Sequence, residues 1–154
     1  MGTGRIVVGV DGSDESKAAL RWAARQAEAT GAWLEPITAW DIPVTFGVPV
    51  YEEEIDLSDS AGATLSATAE EVLGPDPAMV VTPVVVRGHP ARALVEASVG
   101  AELLVVGSRG RGGFLGALLG STSTYCVHHA KCPIVVLRAE EDEDPPVEKG
   151  DPAV

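Results

Sequence analysis

Arg5-Ile6-Val7-Val8-Gly9-Val10-Asp11-Gly12-Ser13 decides the architecture, because a short β-branched run breaks into a turn and a helical period follows at once. Val and Ile favour a pleated, buried surface, and the Asp-Gly-Ser segment has turn chemistry. Ser13 or Asp14 is the expected N-cap of the helix, whose inward face carries Leu20, Ala23, Ala24 and Ala27, with Gly31 just past its end. The strand-turn-helix step then recurs. Apolar runs at Trp33 to Trp40, Val80 to Val86, Leu103 to Val106 and Ile134 to Leu137 alternate with helical patterns, as βαβ units do when a parallel sheet is covered on both faces. The second helix is traced by Ala61, Leu65, Ala69 and Val72 and stopped by Gly74-Pro75; the third starts at Pro90, with Ala91, Leu94 and Val95 inward. A fourth runs from Gly120-Ser121 to His129, with Thr122, Tyr125 and Cys126 on a face. The expectation is a single doubly wound α/β domain: a five-stranded parallel sheet with helices on both faces.

The chain has 154 residues, 45% of them hydrophobic, enough for one such core. Its formal charge of −12 repels nucleic acid and anionic lipid, so neither is an expected partner. Half of that charge is local. Residues 139–154 carry Glu140, Glu141, Asp142, Glu143, Asp144, Glu148 and Asp151 against Lys149, a net −6, and are expected to form a disordered acidic tail behind a folded unit of residues 1–138. With no apolar stretch long enough to span a bilayer and no leader pattern at Met1 to Gly4, the expected location is the cytoplasm. Cys126 and Cys132 have neither CxxC nor zinc spacing and read as buried free thiols. His128 and His129 are adjacent on a helix, about 100° apart, which does not suit a shared metal; His89 reads as the start of the third helix. Trp22, Trp33 and Trp40 read as packing residues. Residues 41–57, with Pro43, Phe46, Pro49 and Tyr51, read as an unusually long connection, a lid or a contact loop.

Behind the fourth strand lies Gly107-Ser108-Arg109-Gly110-Arg111-Gly112-Gly113-Phe114-Leu115-Gly116, five glycines in ten residues. Each glycine costs about 0.5–1 kcal/mol relative to alanine. A plain connector gains nothing from so many, whereas a backbone that must approach an anion does, because its N–H groups can form a nest. The loop feeds a helix opening on Gly120, Ser121 and Thr122, where free N–H donors, the helix dipole and two hydroxyls suit phosphate oxygens. Arg109 and Arg111 supply full positive charge. Neither GxxxxGK[ST] nor GxGxxG is present, so P-loop hydrolysis and dinucleotide redox chemistry lose support. Asp11 at the first turn is either a ligand-facing carboxylate or a helix cap.

These residues carry a resemblance. Gly107-x-x-Gly110, nine residues, then Gly120-Ser121 matches the G-2x-G-9x-G-[ST] pattern of the ATP-binding branch of the universal stress protein family. Val10-Asp11-Gly12-Ser13, Ala39-Trp40, Val86-Arg87-Gly88-His89-Pro90 and Lys131-Cys132-Pro133-Ile134-Val135-Val136 resemble further family positions, from about residue 5 to 138. The resemblance implies strand order 3-2-1-4-5, with the nucleotide across the carboxyl ends of strands one and four. It implies that Gly9 and Asp11 line the adenosine side and that the Trp40 backbone meets the base, near Gly88. Gly107, Ser108, Arg109, Gly110, Arg111, Gly112, Gly120, Ser121 and Thr122 would then hold ribose and phosphates. ATP, with Mg²⁺ on its phosphates, is the implied cofactor, and a homodimer paired through Ile134 to Leu137 the implied assembly. The implied role is a nucleotide-dependent stress regulator acting on an unnamed protein partner. Slow ATP hydrolysis or autophosphorylation at Ser121, Thr122 or Ser123, a nucleotide-independent adaptor or chaperone role, and cyclic AMP as ligand are the competing expectations. No catalytic residue or protein metal ligand is assigned.

Overall fold

A computed structural model describes residues 4–42, 44–45, 47–49, 54–109 and 119–139. The main sheet contains β1 (Arg5–Gly9), β2 (Trp33–Trp40), β5 (Val84–Arg87), β6 (Leu103–Gly107) and β7 (Ile134–Leu137), in the order β5-β2-β1-β6-β7, all pairs parallel. Counting only these five strands, the order is the expected 3-2-1-4-5. A separate antiparallel pair is formed by β3 (Val44–Thr45) and β4 (Val48–Pro49). The helices are α1 (Asp14–Thr30), α2 (Glu54–Leu73), α3 (Pro90–Ser98) and α4 (Ser121–His129).

The period of two along each strand divides the core in half. Ile6, Val8 and Val10 join Val105 and Leu34 on one face, under Ala19, Leu20, Ala23 and Ala27 of α1 and Leu65 of α2. Val7, Ile37, Leu104 and Val106 face the other way, toward Leu94 of α3 and Cys126 of α4. Ile6, Val7 and Val8 are at most 1% exposed, which a sheet strand reaches only when helices cover both sides. Three alanines in the α1 stripe keep that helix close to the sheet.

Ser13 caps α1, its side chain accepting from the Ser16 N–H, and Gly31 closes it. His89 caps α3 through Nδ1, which accepts from the Ala91 N–H at 3.3 Å, with Pro90 in the first turn. The third main strand is shorter than the sequence suggests. One residue before the pair Ile37 and Val84 both chains carry proline, Pro36 and Pro83, and neither offers an N–H to the ladder. Upstream only an isolated bridge, Leu34 to Val81, survives. The long connection expected over 41–57 is also corrected: it holds the β3-β4 pair, and α2 starts at Glu54. Pro43, Phe46 and Tyr51 lie outside the described residues, as do residues 140–154 and with them the expected tail.

On α4 the buried residues are Ser123 and Cys126, whereas Tyr125 is exposed and Thr122 half-buried. Thr122, Tyr125 and Cys126 therefore do not share one buried face. Ser123 turns inward because its hydroxyl has two backbone acceptors there. Both cysteines are free, but only Cys126 is buried; Cys132 is half-buried. Trp22, Trp33 and Trp40 are all half-buried. Among the described residues no helix is long and apolar enough to cross a membrane.

Candidate functional site

After β1 the chain moves outward through β2 and β5, then returns to the other side of β1 for β6 and β7. The sheet order reverses between β1 and β6, and a crevice outside the carboxyl ends of these two strands is where open α/β sheets bind ligands. Most of the sequence-derived candidates sit at that edge.

On the β1 side, the Val10 N–H donates to Ile37 O at 2.9 Å, and the Thr38 hydroxyl donates to Val10 O at 2.9 Å. Gly9 lacks a Cβ where one would lie 2.9 Å from Cδ1 of Leu94, so the end of β1 admits α3 closely. Asp11 Oδ1 accepts the Ser13 N–H at 2.9 Å. Ser16 locks the turn: its hydroxyl donates to Ser13 O at 3.0 Å and accepts from the Asp11 N–H at 3.4 Å. Asp11 thus shapes the turn into α1 with one carboxylate oxygen. Ser16 escaped the sequence reading, although Ser13-x-x-Ser16 has the spacing of a capping box.

On the β6 side, a Cβ on Gly107 would lie 2.7 Å from Glu15 Cβ and 2.8 Å from the Glu15 carbonyl carbon. The first turn of α1 rests on the last residue of β6, which is a packing reason for glycine that owes nothing to a ligand. Ser108 is held by three hydrogen bonds. Its N–H donates to Leu137 O at 2.6 Å, while its carbonyl accepts from Gly120 N at 2.6 Å and from the Ser123 hydroxyl at 2.9 Å. Chain positions 108 and 120 are thereby pinned together. Gly110, Arg111 and Gly112 lie outside the described residues.

Gly120 is the N-cap of α4, with no side-chain cap hydrogen bond, and the first helical bond runs from Thr124 N to Gly120 O at 2.9 Å. The opening of α4 therefore has the donor-rich character that suits an anion. Ser121 is exposed and Thr122 half-buried. Arg109 reaches back across the rim, its Nη2 lying 3.6 Å from Glu15 Oε1. Nothing in the sequence signals that pairing, because it arises from the approach of α1 to β6.

Trp40 and Gly88 lie further along the same rim. The Gly88 N–H donates to Trp40 O at 2.7 Å, and the Arg87 guanidinium lies 5.7 Å from the centroid of the Trp40 ring. Gly88 has φ of +141° with open space where a Cβ would point, a conformation that favours glycine. The fold thus gathers Gly9, Asp11, Gly107, Ser108, Arg109, Gly120, Ser121 and Thr122 around the β1-β6 crevice, with Trp40 at the end of β2 and Gly88 just past β5 flanking it.

Other chemistry finds less support. Among the described residues no group of three or more His, Cys, Asp or Glu could hold a metal ion. Burial pushes the Cys126 thiol up to about 11. Cys132 is also raised by burial, with Arg5 and a backbone hydrogen bond acting the other way. Neither is an activated thiolate. A cleft of about 520 Å³ lies at the opposite end of the sheet, beside Gly31, Ala32, Trp33, Met79 and Val80. Glu28 and Thr82 also line it, and it is remote from the crevice.

Comparison with known proteins agrees with this fold. Residues 2–138 match the model of the universal stress protein family. A universal stress protein of Mycolicibacterium smegmatis is 37% identical over 145 residues, covering 88% of this chain and 48% of that relative. The chain spans about half the length of the curated relatives it matches. Among solved structures, a universal stress protein from Lactobacillus plantarum superimposes with a TM-score of 0.70 at 24% identity, covering 90% of this chain and 99% of that one. A universal stress protein in complex with cyclic AMP gives a TM-score of 0.58 at 29% identity, with coverage of 90% and 99%.

Proposed function

Because the chain belongs to the universal stress protein family, we propose that it binds ATP in the β1-β6 crevice and acts as a nucleotide-dependent stress regulator in the cytoplasm. The observation that carries this reading is the pinning of Ser108 to Gly120, which sets an uncapped helix start beside the carboxyl ends of two adjacent strands. Such a rim offers backbone donors and a helix dipole without moving any element. In the proposed pose the adenosine lies toward Gly9, Asp11 and the Trp40 backbone. The phosphates lie toward Gly107, Arg109, Gly120, Ser121 and Thr122, with Gly110, Arg111 and Gly112 completing the loop. Mg²⁺ travels on the phosphates. The residues present fit such a guest: a glycine-rich approach, hydroxyls at the helix start and Arg109 at the rim.

Cyclic AMP is the second reading, supported by the 29% identical neighbour solved with that ligand. Both ligands share the adenosine half of the site and differ at the phosphate end. The edge strand β7, Ile134–Leu137, has one free side in the sheet order, and we propose it as the pairing edge of a homodimer, since an open apolar edge invites a partner strand. Regulation then consists of a ligand-dependent shift between states that a protein partner distinguishes.

The test is chemical. Heat-release of the small molecule carried by freshly purified protein, followed by mass identification, is expected to yield an adenine nucleotide. Empty protein that also fails to bind ATP and cyclic AMP on titration would refute the proposal.

A further inference from the structure

We infer that Glu15 is a specificity-determining residue of this crevice: its carboxylate competes with ligand phosphate for Arg109 and so weakens the triphosphate more than the monophosphate. The inference rests on the adenylate reading above and adds a residue outside the glycine loop. Three observations carry it. Glu15 Oε1 lies 3.6 Å from Arg109 Nη2, with the two side chains only 17% and 32% exposed, so the pair is partly shielded from water. Glu15 is also held in place. Its backbone carbon and oxygen stand 2.8 and 3.0 Å from the point where a Cβ on Gly107 would be, so α1 sits against the strand that leads directly to Ser108 and Arg109. Finally, the next cation on α1, Lys17, is engaged by Glu71 at 2.9 Å and is not directed to the rim.

A phosphate that approaches Arg109 therefore meets a neutralised pair instead of a free cation. It must displace the carboxylate or lie beside it, and the repulsion grows with the negative charge of the ligand. AMP suffers less than ATP. Asp14, one residue earlier in the same turn, is exposed and has the same charge without the contact, which makes it the natural control.

The experiment is titration calorimetry with ATP and with AMP, in magnesium-free buffer at fixed ionic strength, on the wild type, Glu15→Gln, Glu15→Ala, Asp14→Asn, Arg109→Met and the Glu15→Gln/Arg109→Met double variant. Glu15→Gln and Glu15→Ala are expected to tighten ATP about three- to fivefold and AMP less than about twofold, the range of a partly exposed charge pair. Asp14→Asn is expected to leave the ATP to AMP ratio unchanged, and in the Arg109→Met background, where the carboxylate is no longer neutralised, Glu15→Gln is expected to shift that ratio at least as far as it does alone. A wild-type ratio in both Glu15 variants, or an equal shift in Asp14→Asn, overturns the role of Glu15 and leaves adenylate binding standing. Absence of binding by the wild type to either nucleotide overturns both.

Discussion

Gly107 and Glu15 are in backbone contact: the site of a missing Cβ on the last residue of β6 lies 2.8 Å from the carbonyl carbon of the second residue of α1. Replacing Gly107 by alanine forces the first turn of α1 off the sheet, because the obstructing atoms are backbone and have no rotamer to escape into. The expected cost is about 1–3 kcal/mol, as for overpacking in a filled core. Urea unfolding of Gly107→Ala measures it. For the same reason a bulky residue at Gly107 is a poor probe of ligand binding, since stability and affinity fall together.

Ser123 holds the base of the glycine loop from the helix side, donating to Ser108 O at 2.9 Å and lying 3.1 Å from Gly120 O. Ser123→Ala keeps the Gly120 to Ser108 bond but removes the hydroxyl from a buried position. A loss of about 1 kcal/mol of stability is expected. Weaker adenylate binding is expected beside it, because the loop ends are less firmly held. Thermal unfolding and a nucleotide titration on the same variant read both effects.

Arg109 is the rim cation paired with Glu15. Arg109→Met removes a charge-assisted contact to phosphate, but also the partner of Glu15, so the net loss is smaller than for an unpaired arginine. A roughly fivefold weaker ATP affinity, about 1 kcal/mol, is expected. Adenosine affinity is expected to stay the same. Parallel titrations with ATP and adenosine decide it; an equal loss for both would point to a structural effect.

Cys126 gives the fold a pH dependence with a definite sign. Its thiol is raised from 9.0 to about 11 by burial, so above pH 9 the unfolded chain releases a proton that the native state keeps. Stability linked to Cys126 is full below pH 9 and is lost as pH rises through 9 to 11. Urea midpoints compared at pH 8 and pH 10 are expected to fall more for the wild type than for Cys126→Val. In the native protein a thiol reagent is expected to modify half-buried Cys132 well before buried Cys126.

The parts of this molecule that the sequence reveals are those made by local chemistry. β2 and β7 have their expected bounds, Trp33–Trp40 and Ile134–Leu137, because each is a continuous apolar run. Ser13, Gly31 and Pro90 mark helix ends for the same local reason. Where the reading failed, the cause was a partner remote in sequence or a weak pattern. The opening of α2, Glu54-Ile55-Asp56-Leu57-Ser58-Asp59, has too few periodic apolar residues to reveal a helix. β5 is shortened by Pro36 on its neighbour together with its own Pro83. At the crevice, the glycine-rich stretch and the α4 start carry the sequence pattern from which anion binding is proposed. Glu15 was not, because only the docking of α1 on Gly107 brings its carboxylate to Arg109. Ser123 looks like any polar residue in a helix until Ser108 O is found beneath it.

The most direct test of the central claim is a calorimetric titration of ATP into wild-type protein and into Gly120→Val, with thermal unfolding confirming that both are folded. Gly120 has extended backbone, φ −72° and ψ 170°, so the substitution crowds the helix start without demanding a new conformation. The account predicts saturable binding to the wild type and at least a tenfold loss in Gly120→Val. Saturation of both with equal affinity, or no saturation of the wild type at millimolar ATP, would contradict it.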